Sequence, residues 1–212
     1  MPELAEFHAR GDDSAIRRTV SRAISLTLLY AFCCMTVLAC LAEPIGMALY
    51  GNPEACRYIR IFAFLIPLSF LDTTVDCLLK GLGAQVSVMV INLIDAAGCV
   101  LGVWLLVPRF GVVSYVWIVF VSEAVNLAMS CGRLYTLCKT PVPLWNTLVA
   151  PLLAAVGAAS FSALQHRFFP LSFSVAFIGT TVRVAVTVLF YIVIWLLLAG
   201  YPFRKEPTRR NA

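Results

Sequence analysis

Polar positions in this chain come in short clusters, and six long apolar runs separate them. The runs are residues 20–42, 59–79, 86–107, 112–132, 145–164 and 173–199. A bilayer core of ~30 Å is crossed by ~20 apolar residues at ~1.5 Å rise each, so each run predicts one transmembrane helix. Helix-breaking and charged residues close most of them: Glu43-Pro44, Lys80-Gly81, Pro108-Arg109, Gly132-Arg133 and Gly200-Tyr201-Pro202. Pro151, inside the fifth run, predicts a kink. The expected fold is an all-α integral membrane bundle of six transmembrane helices. Its parts are an interfacial cytoplasmic segment over 1–19, a four-helix unit over 20–138, two further helices over 139–200 and a basic tail over 201–212.

Composition points the same way. The chain is 61% hydrophobic and 13% charged, against ~45–50% and ~25% in soluble domains. The connecting loops are short, so their basic residues predict orientation. One side collects Arg10, Arg17, Arg18, Arg22, Lys80, Arg133, Lys139, Arg204, Lys205, Arg209 and Arg210. The other side holds Arg57, Arg60, Arg109 and Arg167. Both termini are therefore expected in the cytoplasm, with the protein multi-pass in the cell membrane. Residues 1–20 carry Glu3, Glu6, Arg10, Asp12, Asp13, Arg17 and Arg18 before the first apolar run, which is not the layout of a signal peptide. In that stretch Leu4 and Phe7 are expected on the membrane surface. Gly11 suits a helix C-terminus, and Asp12-Asp13-Ser14 suits the N-cap of the next helix.

Charged groups at membrane depth are costly and usually face a bundle interior or a wet cavity. Asp72, Asp76 and Lys80 stand four residues apart in the second run. The third run adds Asn92 and Asp95, and the fourth adds Glu123 and Asn126. With alternate runs pointing in opposite directions, these groups fall at overlapping depths. Asn92, Asp95, Gly98 and Gly102 share a stripe that includes a G-x-x-x-G match, a pattern that permits close helix approach. Glu123, Asn126 and Ser130 share a face of the fourth run. Two readings stand side by side. In one, Asp76 and Lys80 form a local i,i+4 pair and Asp72 finds a backbone or Asn partner. In the other, Asp72, Asp76, Asn92, Asp95, Glu123 and Asn126 line a transport cavity. Arg183, in the sixth run, is a candidate for contact with an anion or headgroup, and snorkelling outward is its simpler use.

Other chemistry finds little support. The eight cysteines contain no C-x-x-C pair, and His8 and His166 are far apart, so neither a metal site nor a cofactor is expected. No H-E-x-x-H, G-x-S-x-G or P-loop is present, and the chain is not expected to be an enzyme. No soluble module is available for nucleic acid.

The order of several motifs resembles a known family. P-E-L-A-E-F-H-A-R-G-D-D-S-A-I-R-R is similar to a cytoplasmic loop "P-x-L-x-x-x-x-A-x-G-D…I-R-R". A-E-P-I-G-M-A-L-Y-G is similar to a helix end "P-I-x-x-L-Y-G". C-L-L-K-G-L-G-A-Q and L-V-P-R-F-G-V-V-S-Y are similar to the "L-x-G-L-G" and "P-x-x-G-I-x-G" turns. Over about residues 2–138 the chain resembles the C-terminal part of stage V sporulation protein B-like and polysaccharide-biosynthesis flippases of the MATE-like (MOP) transporter superfamily. The resemblance implies a partial MATE-like bundle and export of a lipid-linked sugar, a polysaccharide or peptidoglycan precursor, by alternating access. A cation-coupled multidrug exporter on the same scaffold is one alternative. A non-transporting remnant or membrane assembly partner is another. The resemblance also implies a missing N-terminal lobe, so the chain is expected to be a fragment or truncated form. Its partners would be that lobe or a second copy, together with membrane lipid.

Overall fold

The computed structural model describes residues 2–138, 152–153, 155–157 and 176–199. The chain begins with α1 (Pro2–Arg10), which ends at Gly11 with φ +68. A left-handed backbone of that kind favours glycine, and it turns the chain sharply into α2 (Asp13–Cys40). The Asp12 side chain accepts from the backbone N–H of Ser14 at 3.1 Å and of Ala15 at 3.1 Å. This is the N-cap that the acidic pair predicted. The Ser14 hydroxyl also donates to Asp12, and these bonds to the ionised form hold its carboxyl below the usual carboxylate range.

Next come α3 (Ala42–Tyr50), α4 (Pro53–Ala63) and α5 (Ile66–Gly81). Two long helices follow, α6 (Gln85–Phe110) and α7 (Val112–Cys138). The final described helix is α8 (Ala176–Ala199). At ~1.5 Å per residue, α2, α6 and α7 are each about 40 Å long, close to the ~40–45 Å of a bilayer with its headgroups. All three are long and apolar enough to cross a membrane, and α4 with α5 make a fourth crossing if the bent pair counts as one.

Several sequence expectations change here. The second run is not one straight helix: α4 and α5 meet at 44°. Pro67 has no N–H for the carbonyl of Ala63, and its ring crowds that turn. The short α3 was not anticipated. Helix α2 starts at Asp13, ahead of the apolar run at 20–42, so Arg17 and Arg18 ride on its first turns. Helix α6 runs through Pro108 to Phe110, and α7 continues past Gly132 to Cys138. The fifth run lies almost wholly outside the described residues, and so does the basic tail. The sixth corresponds to α8.

The core is built on a repeat of four. Ile16, Val20, Ile24, Leu28 and Phe32 form a buried row along α2, a ridge of the kind that seats in a neighbouring helix's groove. It packs with Val75, Leu78 and Leu79 of α5. Leu4 belongs to this core at 1% exposure rather than lying on the membrane surface. A Cβ added at Gly81 would stand 3.0 Å from Leu4 Cδ2, so α1 docks against the end of α5. Tyr191 of α8 donates to the backbone oxygen of Leu29 at 2.9 Å and ties that helix to α2.

Helices α6 and α7 carry most of their apolar side chains outward, among them Leu93, Trp104, Trp117 and Val121. In a membrane these faces meet lipid or other protein, not water. Within the glycine stripe only Gly102 makes a close approach: a Cβ there would lie 3.2 Å from Ile118 Cγ2, whereas one at Gly98 would meet nothing within 4 Å.

The tightest helix pair is α3 with α4. A Cβ at Gly46 would fall 2.9 Å from the Cα of Cys56. Gly46→Ala must push the two backbones apart, with an expected loss of about 1–3 kcal/mol, the usual cost of overpacking. Unfolding of the detergent-solubilised variant against wild type measures it. An unchanged midpoint would mean that the pair yields freely.

Candidate functional site

Helices α5, α6 and α7 turn their polar side chains toward one another at one level of the bundle. Asp72 and Asp76 stand four residues apart, on one face of α5, and are buried at 8% and 7% exposure. Asn126 and Ser130, also four apart, are buried on α7, and Asn92 of α6 is half-buried. Their hydrogen bonds form one chain. Asn126 Nδ2 donates to Asp72 Oδ2 at 3.0 Å and to Asn92 Oδ1 at 3.2 Å. Asn92 Nδ2 in turn donates to Asp76 Oδ2 at 2.8 Å. The Ser130 hydroxyl donates to Asp76 Oδ1 at 3.2 Å. Asp95 lies further along α6, where it accepts from the Ser122 hydroxyl of α7.

The acids are held by amides and hydroxyls, not by a basic partner. Lys80 is exposed, and Asp76 turns away from it to Asn92 and Ser130. The local Asp76–Lys80 pair is therefore not formed. The expectation of an Asn partner for Asp72 is met by Asn126. Among the described residues the one ion pair joins Glu6 and Arg10 on the surface of α1. Within this cluster two buried oxygens have no donor among the described residues, Asp72 Oδ1 and Asn126 Oδ1. Buried polar atoms of this kind are uncommon in native structures. Each is an acceptor that a proton, a water or a small cation would satisfy.

The six cavity candidates divide. Asp72, Asp76, Asn92 and Asn126 join directly. Asp95 stands one turn along with Ser122. Glu123 is half-buried on α7 and makes no hydrogen bond among the described residues. Ser122 was missed as a site residue. It shares the four-residue stripe of Asn126 and Ser130, and that periodicity was the signal for it. A second missed contact is the 2.9 Å bond between the hydroxyls of Thr27 on α2 and Thr74 on α5. The expectation for Arg183 lies outside the described side chains. No group of three or more His, Cys, Asp or Glu with metal-holding geometry occurs among the described residues.

The MatE family model matches residues 4–105, from α1 through most of α6. That span includes Asp72, Asp76, Asn92 and Asp95, and it stops short of Glu123 and Asn126. No curated protein and no solved structure matches the chain. Over the matched residues, just under half of the chain, the sequence is similar to the MatE family.

Proposed function

We propose that this chain forms the C-terminal part of an exporter that flips a lipid-linked oligosaccharide by alternating access, with Asp72, Asp76, Asn92, Asp95, Glu123 and Asn126 as its ion-responsive polar cluster. The observation that carries the reading is the buried acid–amide chain across α5, α6 and α7, with Asp72 Oδ1 and Asn126 Oδ1 left unsatisfied. Ionisable groups held inside a membrane bundle usually mark an ion or substrate pathway. A small cation or a proton at Asp72 would complete its shell and draw α5 and α7 together. Its loss would let them part. A binding event coupled in this way to helix separation is what alternating access needs. The lipid-linked substrate rests on the order of motifs along residues 2–138. Its lipid tail would stay in the bilayer while the sugar head passes beside the polar face. The distribution of Lys and Arg along the sequence supports a cytoplasmic location for both termini.

The test is transport by the intact exporter carrying Asp95→Asn with Glu123→Gln. Both changes keep size and polarity and remove charge. Transport of a lipid-linked sugar should be abolished at normal membrane abundance. Wild-type flipping by the double variant would overturn the cluster's role. Efflux of cationic dyes with no sugar flipping would instead support a multidrug exporter on the same scaffold.

A further inference from the structure

A second feature lies at the opposite end of the bent α4–α5 pair from the polar cluster. Helices α3, α4 and α7 enclose a groove of about 860 Å³. Its walls are apolar, with Met47 on α3, Ile61 and Phe64 on and just after α4, and Phe120 on α7. Arg57 and Arg60 also line it. They are three residues apart, which places them on one face of α4. Both are exposed, and among the described residues neither makes an ion pair or a hydrogen bond.

Depth makes this arrangement specific. Along its two helices the bent pair from Pro53 to Gly81 is about 42 Å long, and even with its 44° bend it is long enough to cross the ~30 Å hydrocarbon core. Measured along the helix, Arg57 and Arg60 stand about 6 and 10 Å from the Pro53 end, around the boundary between headgroups and hydrocarbon, from which a long guanidinium side chain reaches the phosphates. Phe64 follows at about 16 Å, inside the hydrocarbon. Phe64 and Met47 are 56% and 44% exposed, so the apolar walls open toward the acyl chains. Two cations within reach of the phosphates therefore stand next to an apolar groove at chain depth.

We propose that this groove is a binding site for one anionic phosphodiester phospholipid of the bilayer. The phosphate sits between Arg57 and Arg60, and one acyl chain lies along Phe64 and Phe120. Planar guanidinium groups match a phosphate's oxygens well. Glu43, on the opposing wall, supplies one negative charge. It leaves the groove with a net charge of about +1 and disfavours a doubly charged head. A headgroup of net charge −1, such as phosphatidylglycerol, is complementary. The site is independent of the transported substrate and needs only the membrane-spanning reading of α7 and of the bent α4–α5 pair.

The experiment uses the full chain purified in mild detergent, with bound lipid read by native mass spectrometry. Wild type should retain phosphatidylglycerol over phosphatidylcholine by about tenfold or more, and Arg57→Gln with Arg60→Gln should remove that preference. Arg109→Gln, a membrane-edge arginine that does not line the groove, should leave it unchanged. Glu43→Gln should admit phosphatidic acid. Lipid-free thermal unfolding of the double variant should match wild type; if it does not, Arg60→Gln alone and Phe120→Ala carry the test, each lowering retention. Equal retention of both lipids by wild type, undiminished retention in the groove variants, or an equal loss in Arg109→Gln would each overturn the proposal. A fluorophore at Met47→Cys that chain-labelled phospholipid fails to quench would show protein, not lipid, filling the groove, and would overturn it too.

Discussion

Asp72→Asn is expected to lower transport by about 10- to 100-fold with the bundle still assembled. The substitution keeps the side chain's shape, and Asn126 Nδ2 can still donate to the remaining carbonyl oxygen, so the 3.0 Å contact survives. What disappears is the negative charge beside the unsatisfied Asn126 Oδ1. If a cation or proton at this point biases the separation of α5 from α7, its coupling free energy of about 1–3 kcal/mol is lost, and that range sets the fold-change. Asp72→Glu, which restores the charge one methylene further out, should recover part of the rate. The check is initial flipping rate in proteoliposomes against cation concentration and pH. An Asp72→Asn protein that still responds to the gradient as wild type does would exclude Asp72 as the coupling group.

Asn126→Leu is the largest expected loss of stability, about 2–4 kcal/mol. Hydrogen bonds between neutral groups of membrane helices average only about 0.6 kcal/mol, which on its own predicts a mild effect. Asn126, however, bonds an acid: it supplies the hydrogen bond to Asp72 and the link to Asn92. A hydrogen bond to a charged group contributes about 1.5–3 kcal/mol, and removing one partner leaves a buried carboxylate bare. The charged partner therefore decides the magnitude. Reversible unfolding in mixed micelles measures it. A double-mutant cycle with Asp72→Leu should recover most of the loss, because removing both partners leaves no orphaned charge. A loss below about 0.6 kcal/mol would place this contact among ordinary neutral ones.

Helices α2, α6 and α7 were legible because their apolar runs reach the length a bilayer demands. The turn from Gly11 into α2 was legible for a different reason, although the burial of Leu4 was not. Gly11 and Asp12 carry turn and cap chemistry that acts within four residues. The break between α4 and α5 was not legible as a 44° bend. Pro67 signals a missing hydrogen bond but not how far the neighbouring helices will let the chain swing. Helix α3 was hidden as well, because its nine residues are held by the close approach of Gly46 to Cys56, ten positions away.

For the polar cluster, spacing along single helices decided which residues share a face. Asp72 with Asp76, and Asn126 with Ser130, are each four apart, and the helical period alone puts each pair on one side. The chain also carries enough apolar length to make these faces internal to a membrane bundle. Which acid meets which amide depended on the rotation and level of α6 and α7 against α5, quantities set by side-chain packing between segments distant in sequence. That packing gave Asp76 to Asn92 and Ser130 rather than to Lys80, and it left one oxygen each on Asp72 and Asn126 without a donor. Local periodicity therefore determined the faces, and tertiary contact alone decided the partners, because a hydrogen bond depends on tenths of an ångström between helices that no pattern along one strand of sequence encodes.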